Sequence, residues 1–268
     1  MISAVGQLNR PFVPDVPGEF AGPAFHTARW RHDIDPSGKD VVMVGAGAPD
    51  SSSHPPSPTG WNRSPRPPAN APCRTNGSWL RTLRRDHVHL VRAGAQRLTE
   101  DGIVDSTGTF HRADVIVWAT GFRPNDFLTP LRVTGRDLHR FWGERPRAHL
   151  GVTVPGFPNF FLLYGPGTNL ASGGSIIFAA ECAVRLIMCC PRLLTTSDGR
   201  RIEVRAEAFD AYTAEAREEM SRKVWASPHI AHNYYRNDAG EVTGLNPFRL
   251  VDYWRWTSAP DPGEYEIG

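Results

Sequence analysis

The feature that most constrains the fold is the stretch 114–122, Asp-Val-Ile-Val-Trp-Ala-Thr-Gly-Phe. Its apolar run leads directly into Ala-Thr-Gly, which predicts a buried strand that ends in a tight turn. In an open α/β sheet, ligands bind beyond the carboxyl ends of the strands. The small residues Ala119, Thr120 and Gly121 would allow a flat ligand to approach the backbone there. An ordinary core strand followed by a turn has the same local pattern, so the rest of the chain must decide.

Composition limits the class of protein. A chain of 268 residues is long enough for one large domain or two ordinary ones with a buried core. The net charge of +2 is near neutral, and no block of like charge indicates a nucleic-acid or membrane partner. No apolar run is long enough to span a membrane, and we expect no leader. The four cysteines have neither paired metal spacing nor a disulfide framework. We therefore expect a cytoplasmic protein in a reducing compartment, without a metal.

A second apolar run, Val41–Val44, leads into Gly45-Ala-Gly47, as the first strand of a dinucleotide-binding unit does. In such units the glycines let a pyrophosphate approach the backbone, and the N-terminus of the next helix faces the phosphate. Residues 49–72, however, contain eight prolines and five serines. This composition predicts coil instead of a helix. We therefore expect Gly45 and Gly47 to form an impaired nucleotide site.

A strand, a loop of small residues and a helix follow one another farther along the chain. Residues 160–164 predict a buried strand, residues 165–175 the loop, and residues 175–188 the helix. The helix has one predicted apolar face: Ile176, Ala180, Val184, Ile187 and Met188. This order of elements directs helix amides at an anionic or polar ligand group, although a helix cap and a core helix explain it equally well. A second amphipathic helix is predicted at 209–224, before an aromatic-rich C-terminal part that is typical of core packing.

Residues 20–30 contain the spaced pattern Phe20-x-Gly22-x-x-x-His26-x-x-x-Trp30. A lone loop histidine commonly makes surface hydrogen bonds. The whole pattern, however, resembles the fingerprint of Baeyer–Villiger monooxygenases, in which Pro or Asp follows the tryptophan and this chain has Arg31. The turn 119–122 and the Gly-Pro-Gly loop at 165–167 resemble the FAD domain of flavin monooxygenases. Residues 233–237, Asn-Tyr-Tyr-Arg-Asn, and residues 247–254, Pro-Phe-Arg-Leu-Val-Asp-Tyr-Trp, are similar to the end of monooxygenases of the 4-hydroxyacetophenone type.

The resemblance covers about residues 6–44 and 76–267. It implies a flavoprotein that reduces FAD with NADPH, activates oxygen and inserts one oxygen atom beside a ketone or aldehyde carbonyl. The residues that it implies at the FAD site are Ala119, Thr120, Gly121, Phe122, Gly165, Gly167 and Asn169. It implies NADP at Gly45 and Gly47, and a linker in which His26 and Trp30 couple cofactor movement to catalysis. Arg74 lies near the expected position of the family's active-site arginine, but its surroundings do not match, so no catalytic residue is assigned.

The predicted fold is α/β, a partial flavoprotein with two Rossmann-like dinucleotide-binding domains. Residues 1–37 are the predicted interdomain linker with the fingerprint. Residues 38–112 form a reduced NADP-binding domain with a disordered insert at 49–75, and residues 113–268 form the C-terminal part of the FAD domain plus a helical, aromatic segment.

The sequence leaves three functions open. The family's first FAD-binding βαβ unit has no counterpart before residue 45, so we expect FAD to bind weakly or not at all. The first alternative to a monooxygenase is therefore a non-catalytic remnant of such an enzyme. A flavin- or nicotinamide-dependent reductase is the second, and it would not need the pattern at 20–30. The sequence specifies neither the substrate nor the oligomeric state.

Overall fold

The computed structural model describes residues 1–45, 59–61, 81–128, 136–170, 174–227, 235–237 and 239–268, with the backbone alone at 59–61. The chain divides into two compact units. Unit 1 comprises Met1–Arg10 and Arg123–Gly268, and unit 2 comprises Pro11–Phe122. The chain therefore begins unit 1, forms all of unit 2 and returns to finish unit 1. None of the described helices combines the length and the apolar character needed to cross a lipid bilayer.

The described residues form twelve strands and four α-helices. In chain order they are β1 (Ile2–Ser3), β2 (Ala24–His26), β3 (Val41–Val44), β4 (Thr59–Trp61), β5 (His89–Val91), β6 (Ala95–Thr99), β7 (Gly102–Asp105), β8 (Phe110–Arg112), β9 (Val115–Trp118), α1 (Leu138–Trp142), β10 (Phe161–Leu162), α2 (Ile176–Thr196), β11 (Ile202–Val204), α3 (Ala206–Ser221), α4 (Leu250–Trp256) and β12 (Tyr265–Ile267). The predicted α/β class is confirmed.

Unit 2 is built on a parallel sheet whose order among the described residues is β2-β9-β3-β4-β5. Strand β9 is buried on both faces. Ile116 and Trp118 pack with Val42 on one face, and Val115 and Val117 pack on the other. Parallel strands covered on both faces appear in sequence as continuous apolar runs. This explains the pattern that predicted a strand before Ala119, and the structure confirms that strand.

Strand β4 corrects the prediction of coil for residues 49–72. The backbone of Thr59–Trp61 pairs in parallel with both β3 and β5. Its three residues include no proline, so each can donate its backbone N–H to the sheet. The two neighbouring strands that stabilise β4 are distant in sequence, and local composition does not reveal them. Residues 46–58 and 62–80, which include Gly47 and Arg74, lie outside the described residues.

Strands β6, β7 and β8 form an antiparallel sheet. The Thr107-Gly108 pair is a local sequence signal that predicts a turn. The structure confirms this turn, and Gly108 has a φ angle of +86°. The buried Asp105 carboxylate accepts hydrogen bonds from the Thr107 hydroxyl at 2.5 Å, from the Thr109 backbone N–H at 3.0 Å and from His111 Nε2 at 2.9 Å. The Thr107 hydroxyl and the His111 ring therefore hold the pKa of Asp105 far below its usual range.

In unit 1, β1 pairs in parallel with β10, which is shorter than the strand predicted at 160–164. The strand ends early because Tyr164 adopts a φ angle of +61°, a left-handed conformation that turns the chain. Helix α2 begins after Ser175, whose hydroxyl accepts a hydrogen bond from the Phe178 N–H at 3.4 Å. The helix continues to Thr196, two turns beyond the predicted end.

The predicted apolar face of α2 is wrong. Ile176, Val184 and Met188 are 44%, 43% and 55% exposed. The buried residues of this helix, of which the prediction included Ile187, are Ala179, Cys182, Ala183, Leu186, Ile187 and Cys190. Because the helix is apolar on more than one side, periodicity alone does not select the core face.

The C-terminal part of unit 1 completes this core. Helix α3 begins and ends three residues earlier than predicted, and its buried residues include Phe209. Tyr253 of α4 is buried, and its hydroxyl donates a hydrogen bond to the Leu150 carbonyl at 3.0 Å. Trp254 and Trp256 are partly exposed, at 44% and 39%. Core packing therefore accounts for some of the C-terminal aromatic residues and not for all of them.

The first prediction tests the face of α2. Leu186→Ala removes a fully buried side chain, and we expect a loss of about 2–5 kcal/mol in the free energy of unfolding. Val184→Ala in the same helix is the matched control, with an expected change within about 0.5 kcal/mol. Urea unfolding followed by circular dichroism measures both variants. Equal losses would contradict the observed orientation of the helix.

Candidate functional site

The carboxyl ends of three strands meet at one edge of the sheet in unit 2. In the ladder, Trp118 of β9 pairs with His26 of β2 and with Val44 of β3. Gly45 follows β3 with a φ angle of +139°, and a Cβ atom there would lie 2.1 Å from the Ala119 carbonyl oxygen. The close approach of two backbones therefore requires a glycine at position 45.

His26 connects β2 to the turn after β9. Its Nδ1 accepts a hydrogen bond from the Ala28 N–H at 3.0 Å, so the ring proton lies on Nε2, which donates to the Gly121 carbonyl at 2.8 Å. Burial lowers the pKa of His26 below its ordinary value of 6.5; the Gly121 carbonyl opposes this effect, and Arg29 adds to it. The neutral ring is therefore the favoured form.

The turn at 119–122 is fixed by several interactions. Gly121 has a φ angle of +79°, which glycine adopts without strain. Its carbonyl oxygen also accepts a hydrogen bond from the Phe12 N–H at 2.9 Å, and the Thr120 hydroxyl donates to the Phe12 carbonyl. The ring of Phe122 contacts the His26 ring edge to face, with centroids 5.7 Å apart. The Gly121 carbonyl thus joins three segments of unit 2.

The other fingerprint residues pack in unit 2. A Cβ atom at Gly22 would lie 2.6 Å from the Phe20 ring and 2.9 Å from the Asp114 carbonyl oxygen. Trp30 contacts Phe25 at a centroid distance of 5.1 Å with nearly perpendicular rings. Phe20, Gly22 and Trp30 therefore have clear packing roles, whereas His26 makes a polar contact with the predicted cofactor turn.

Residues Gly165, Gly167 and Asn169 lie in a loop of unit 1. The Tyr164 hydroxyl donates to Asn169 Oδ1 at 2.8 Å and accepts a hydrogen bond from Gln7 Nε2 at 3.3 Å. A Cβ atom at Gly165 would lie 2.3 Å from the Gly151 carbonyl oxygen. Gly167 has a φ angle of +77° and open space around its Cβ position. Gly165 is therefore packed, and the backbone at Gly167 is accessible to a ligand.

Sequence reasoning missed a cavity of about 500 Å³ in unit 1. Residues 145–148, one side of α3, residues 240–247 and the Pro166–Gly167 turn line it. Arg145, Arg217 and Glu241 form ion pairs in its wall. No local pattern reveals these charges, because they are far apart in sequence. Tyr164 was also missed, although its place at the end of a predicted strand was a usable signal.

The described residues define an α/β protein with small-residue turns at the ends of parallel strands. No protein-family model matches the chain. It is similar in structure to a cyclohexanone monooxygenase from Rhodococcus sp. Phi1 bound to NADP+, with a TM-score of 0.78, 18% identity, and coverage of 99% of this chain and 74% of that one. It is also similar to OTEMO in complex with FAD and NADP, with a TM-score of 0.80, 19% identity, and coverage of 100% and 75%. The chain has the fold of the Baeyer–Villiger monooxygenase flavoproteins.

Sequence comparison identifies monooxygenases as relatives of the chain. The chain is 32% identical over 203 residues to an uncharacterized monooxygenase of Sinorhizobium fredii, covering 74% of this chain and 30% of that protein. It is 26% identical to a Baeyer–Villiger monooxygenase of Streptomyces coelicolor, covering 100% of this chain and 68% of that protein. The chain is a homologue of the Baeyer–Villiger monooxygenases, and the resemblance first indicated by residues 20–30 is confirmed. The chain covers only 30% of the length of the Sinorhizobium fredii relative.

The second prediction concerns the protonation of His26. A lowered folded-state pKa means that its contribution to stability is fully present above the ordinary pKa and is lost as the pH falls from about 6.5 toward the folded-state pKa. His26→Gln keeps a donor for the Gly121 carbonyl but does not titrate. We expect its free energy of unfolding to fall less than that of the wild type between about pH 7.5 and pH 5.5.

Urea unfolding at several pH values measures this difference. The matched control is His32→Gln, which alters an exposed histidine six residues away and should keep the wild-type pH dependence. If His26→Gln also kept that dependence, a role for the His26 proton in stability would be excluded.

Proposed function

We propose that the chain is a flavin-dependent monooxygenase of the Baeyer–Villiger type, which uses NADPH and oxygen to insert one oxygen atom beside a ketone or aldehyde carbonyl. The observation that most supports this is the hydrogen bond of His26 Nε2 to the Gly121 carbonyl. It links the residue pattern at 20–30 directly to the turn proposed to contact a cofactor. The names of the relatives and the shared fold add support.

The described residues fit the proposed cofactors. In unit 2, the turn Ala119–Phe122 offers a backbone held in one conformation, and we propose it as an FAD contact. In unit 1, taken by itself, Gly165 and Gly167 belong to a turn of which Gly167 has an open backbone, and Asn169, whose Oδ1 accepts a hydrogen bond from Tyr164, keeps its amide N–H groups for a ligand. For NADP we propose Gly45, at the carboxyl end of β3. Gly47, the other proposed NADP residue, lies outside the described residues.

The roles of the protein residues follow from this arrangement. FAD, when bound and reduced by NADPH, supplies the activation of oxygen. The neutral His26 ring holds the Gly121 carbonyl, and the Phe12 N–H holds it from a second segment. These two hydrogen bonds position the turn and make its geometry dependent on the conformation of residues 11–30. We propose that His26 and Trp30 transmit cofactor movement through this connection. The small carbonyl substrate, the cytoplasmic location and the three domain assignments stay predictions.

A spectroscopic experiment followed by an assay tests the proposal. The purified full chain is incubated with FAD, desalted and examined for a visible flavin band. NADPH oxidation is then measured with added FAD, with and without a ketone, and the products are analysed for the ester or lactone. Ketone-dependent NADPH oxidation with ester formation supports the proposal. A colourless chain that oxidises no NADPH contradicts it and favours the non-catalytic alternative.

The third prediction tests the FAD turn with two matched glycines. Gly121 and Gly108 have similar φ angles, +79° and +86°, but Gly108 lies in the β7–β8 turn with open space around its Cβ position. Replacing either one by alanine should cost about 1–2 kcal/mol of stability, because a left-handed conformation strains a residue with a Cβ atom. Gly121→Ala alone should weaken FAD binding, by about tenfold, because its methyl group obstructs the approach of the cofactor.

Fluorescence titration with FAD measures both affinities. Gly108→Ala controls for the backbone strain. An equal effect of the two substitutions on FAD affinity would show that Gly121 contributes only to folding.

A further inference from the structure

The cavity of unit 1 combines an apolar wall with an excess of positive charge. Its lining among the described residues includes Met220, Leu245 and Pro247, and also three arginines and two carboxylates. Three positive and two negative side chains give a formal net charge of +1. A cavity of about 500 Å³ is within the usual size range of small-molecule sites. The charge and the wall together suit an organic anion with an apolar body.

Glu241 fixes two of the arginines in the cavity wall. Its Oε2 lies 2.8 Å from Arg145 Nε, and its Oε1 lies 2.7 Å from Arg217 Nη2. A guanidinium group has five N–H donors, so most donors of Arg145 and Arg217 are not used by Glu241. One carboxylate also neutralises only one of the two positive charges. Arg145 and Arg217 together therefore keep one uncompensated positive charge and unused N–H donors, with which they can bind the carboxylate of a ligand.

The position of Glu241 is itself fixed by the backbone. The Glu241 N–H donates to Asn237 Oδ1 at 2.8 Å, and the Asn237 N–H donates to the Glu241 carbonyl at 2.9 Å. Asn237 Nδ2 in turn donates to the Glu144 carbonyl at 2.9 Å, next to Arg145. These bonds connect the two loops that supply Glu241 and Arg145. The charged cluster is therefore organised before a ligand arrives, which reduces the entropy cost of binding.

Two polar atoms in the lining lack a partner. Within the described part of the chain, Arg147 Nε and Thr243 Oγ1 are buried and make no hydrogen bond. The Arg147 guanidinium lies over the Phe209 ring at 5.5 Å, which holds it in place. Buried donors without partners are costly, so such atoms indicate a missing hydrogen-bonding group. A carboxylate supplies acceptors for both a guanidinium and a hydroxyl.

We propose that this cavity binds a small carboxylate with an apolar body and, resting on the function proposed above, that this acid is the carbonyl substrate. Pro166 and Gly167 line the same cavity, so a ligand held by the arginines lies beside the loop proposed to contact FAD. The substrate class is therefore a ketone or aldehyde that also bears a carboxylate. A guanidinium recognises the planar carboxylate, and the apolar wall receives the rest of the molecule.

The fourth prediction is a binding experiment on the full chain without FAD. Isothermal titration calorimetry compares para-acetylbenzoate with its methyl ester, which has the same ketone and ring but no charge. We expect the acid to bind at least about tenfold more tightly, the effect of a charge-assisted hydrogen bond. Arg217→Met should remove most of this difference and leave the ester unchanged.

Arg222→Met is the matched control, because Arg222 closely follows α3, is similarly exposed and pairs with Glu218 and Glu219 outside the cavity. It should leave binding of the acid unchanged. Equal binding of acid and ester, absence of binding by both, or an equal effect of Arg217→Met and Arg222→Met would overturn the proposed site. Thermal unfolding of each variant verifies that the fold is retained.

Turnover distinguishes this proposal from the function on which it rests. If the acid binds as expected and no ester product forms from any ketone, the carboxylate site stands, and its assignment as the substrate site fails together with the monooxygenase function. If neutral ketones are oxidised and the acid neither binds nor reacts, the carboxylate site fails and the monooxygenase function stands.

Discussion

The burial of β9 on both faces is the constraint on which unit 2 depends. Ile116 and Trp118 face one apolar cluster, and Val115 and Val117 face the other. A strand packed in this way cannot slip by one residue, because a slip would exchange its two sets of side chains. Its ladder partners β2 and β3 are aligned by the same register. The positions of His26, Gly45 and the turn after Trp118 all follow from that alignment.

The Gly121 carbonyl connects the turn after β9 to two earlier segments of the chain. It accepts one hydrogen bond from the backbone of Phe12 and one from the ring of His26. Each donor comes from a segment that precedes β9 in the sequence, so the conformation of the turn depends on residues outside its own strand. Phe20, Gly22 and Trp30 hold the His26 segment by packing. In the pattern at 20–30, three residues therefore hold the segment in place by packing, and His26 makes the polar contact with the candidate site.

The sequence predicted the features that depend on local patterns. The strand before Ala119 and the turn at Gly108 have unambiguous local signals, an apolar run and a Thr-Gly pair. Helix α2 was predicted, but its core face was not, because Val184 and Leu186 are both apolar and only tertiary packing distinguishes their sides of the helix. Strand β4 was missed because its partners are distant in sequence. The charged cavity was missed for the same reason, since Arg145 and Glu241 meet only through folding.

The path of the chain has a consequence for the order of folding. All of unit 2 is one continuous segment, whereas β1 at the beginning of unit 1 pairs with β10, which follows it by more than half the chain. As the chain leaves the ribosome, unit 2 is complete before Phe161 has been added, and the first ten residues are still without their partner strand. Unit 1 therefore closes last, through a contact of long sequence separation, and such contacts form slowly. Residues 1–10 are synthesised before unit 2 and are ordered after it.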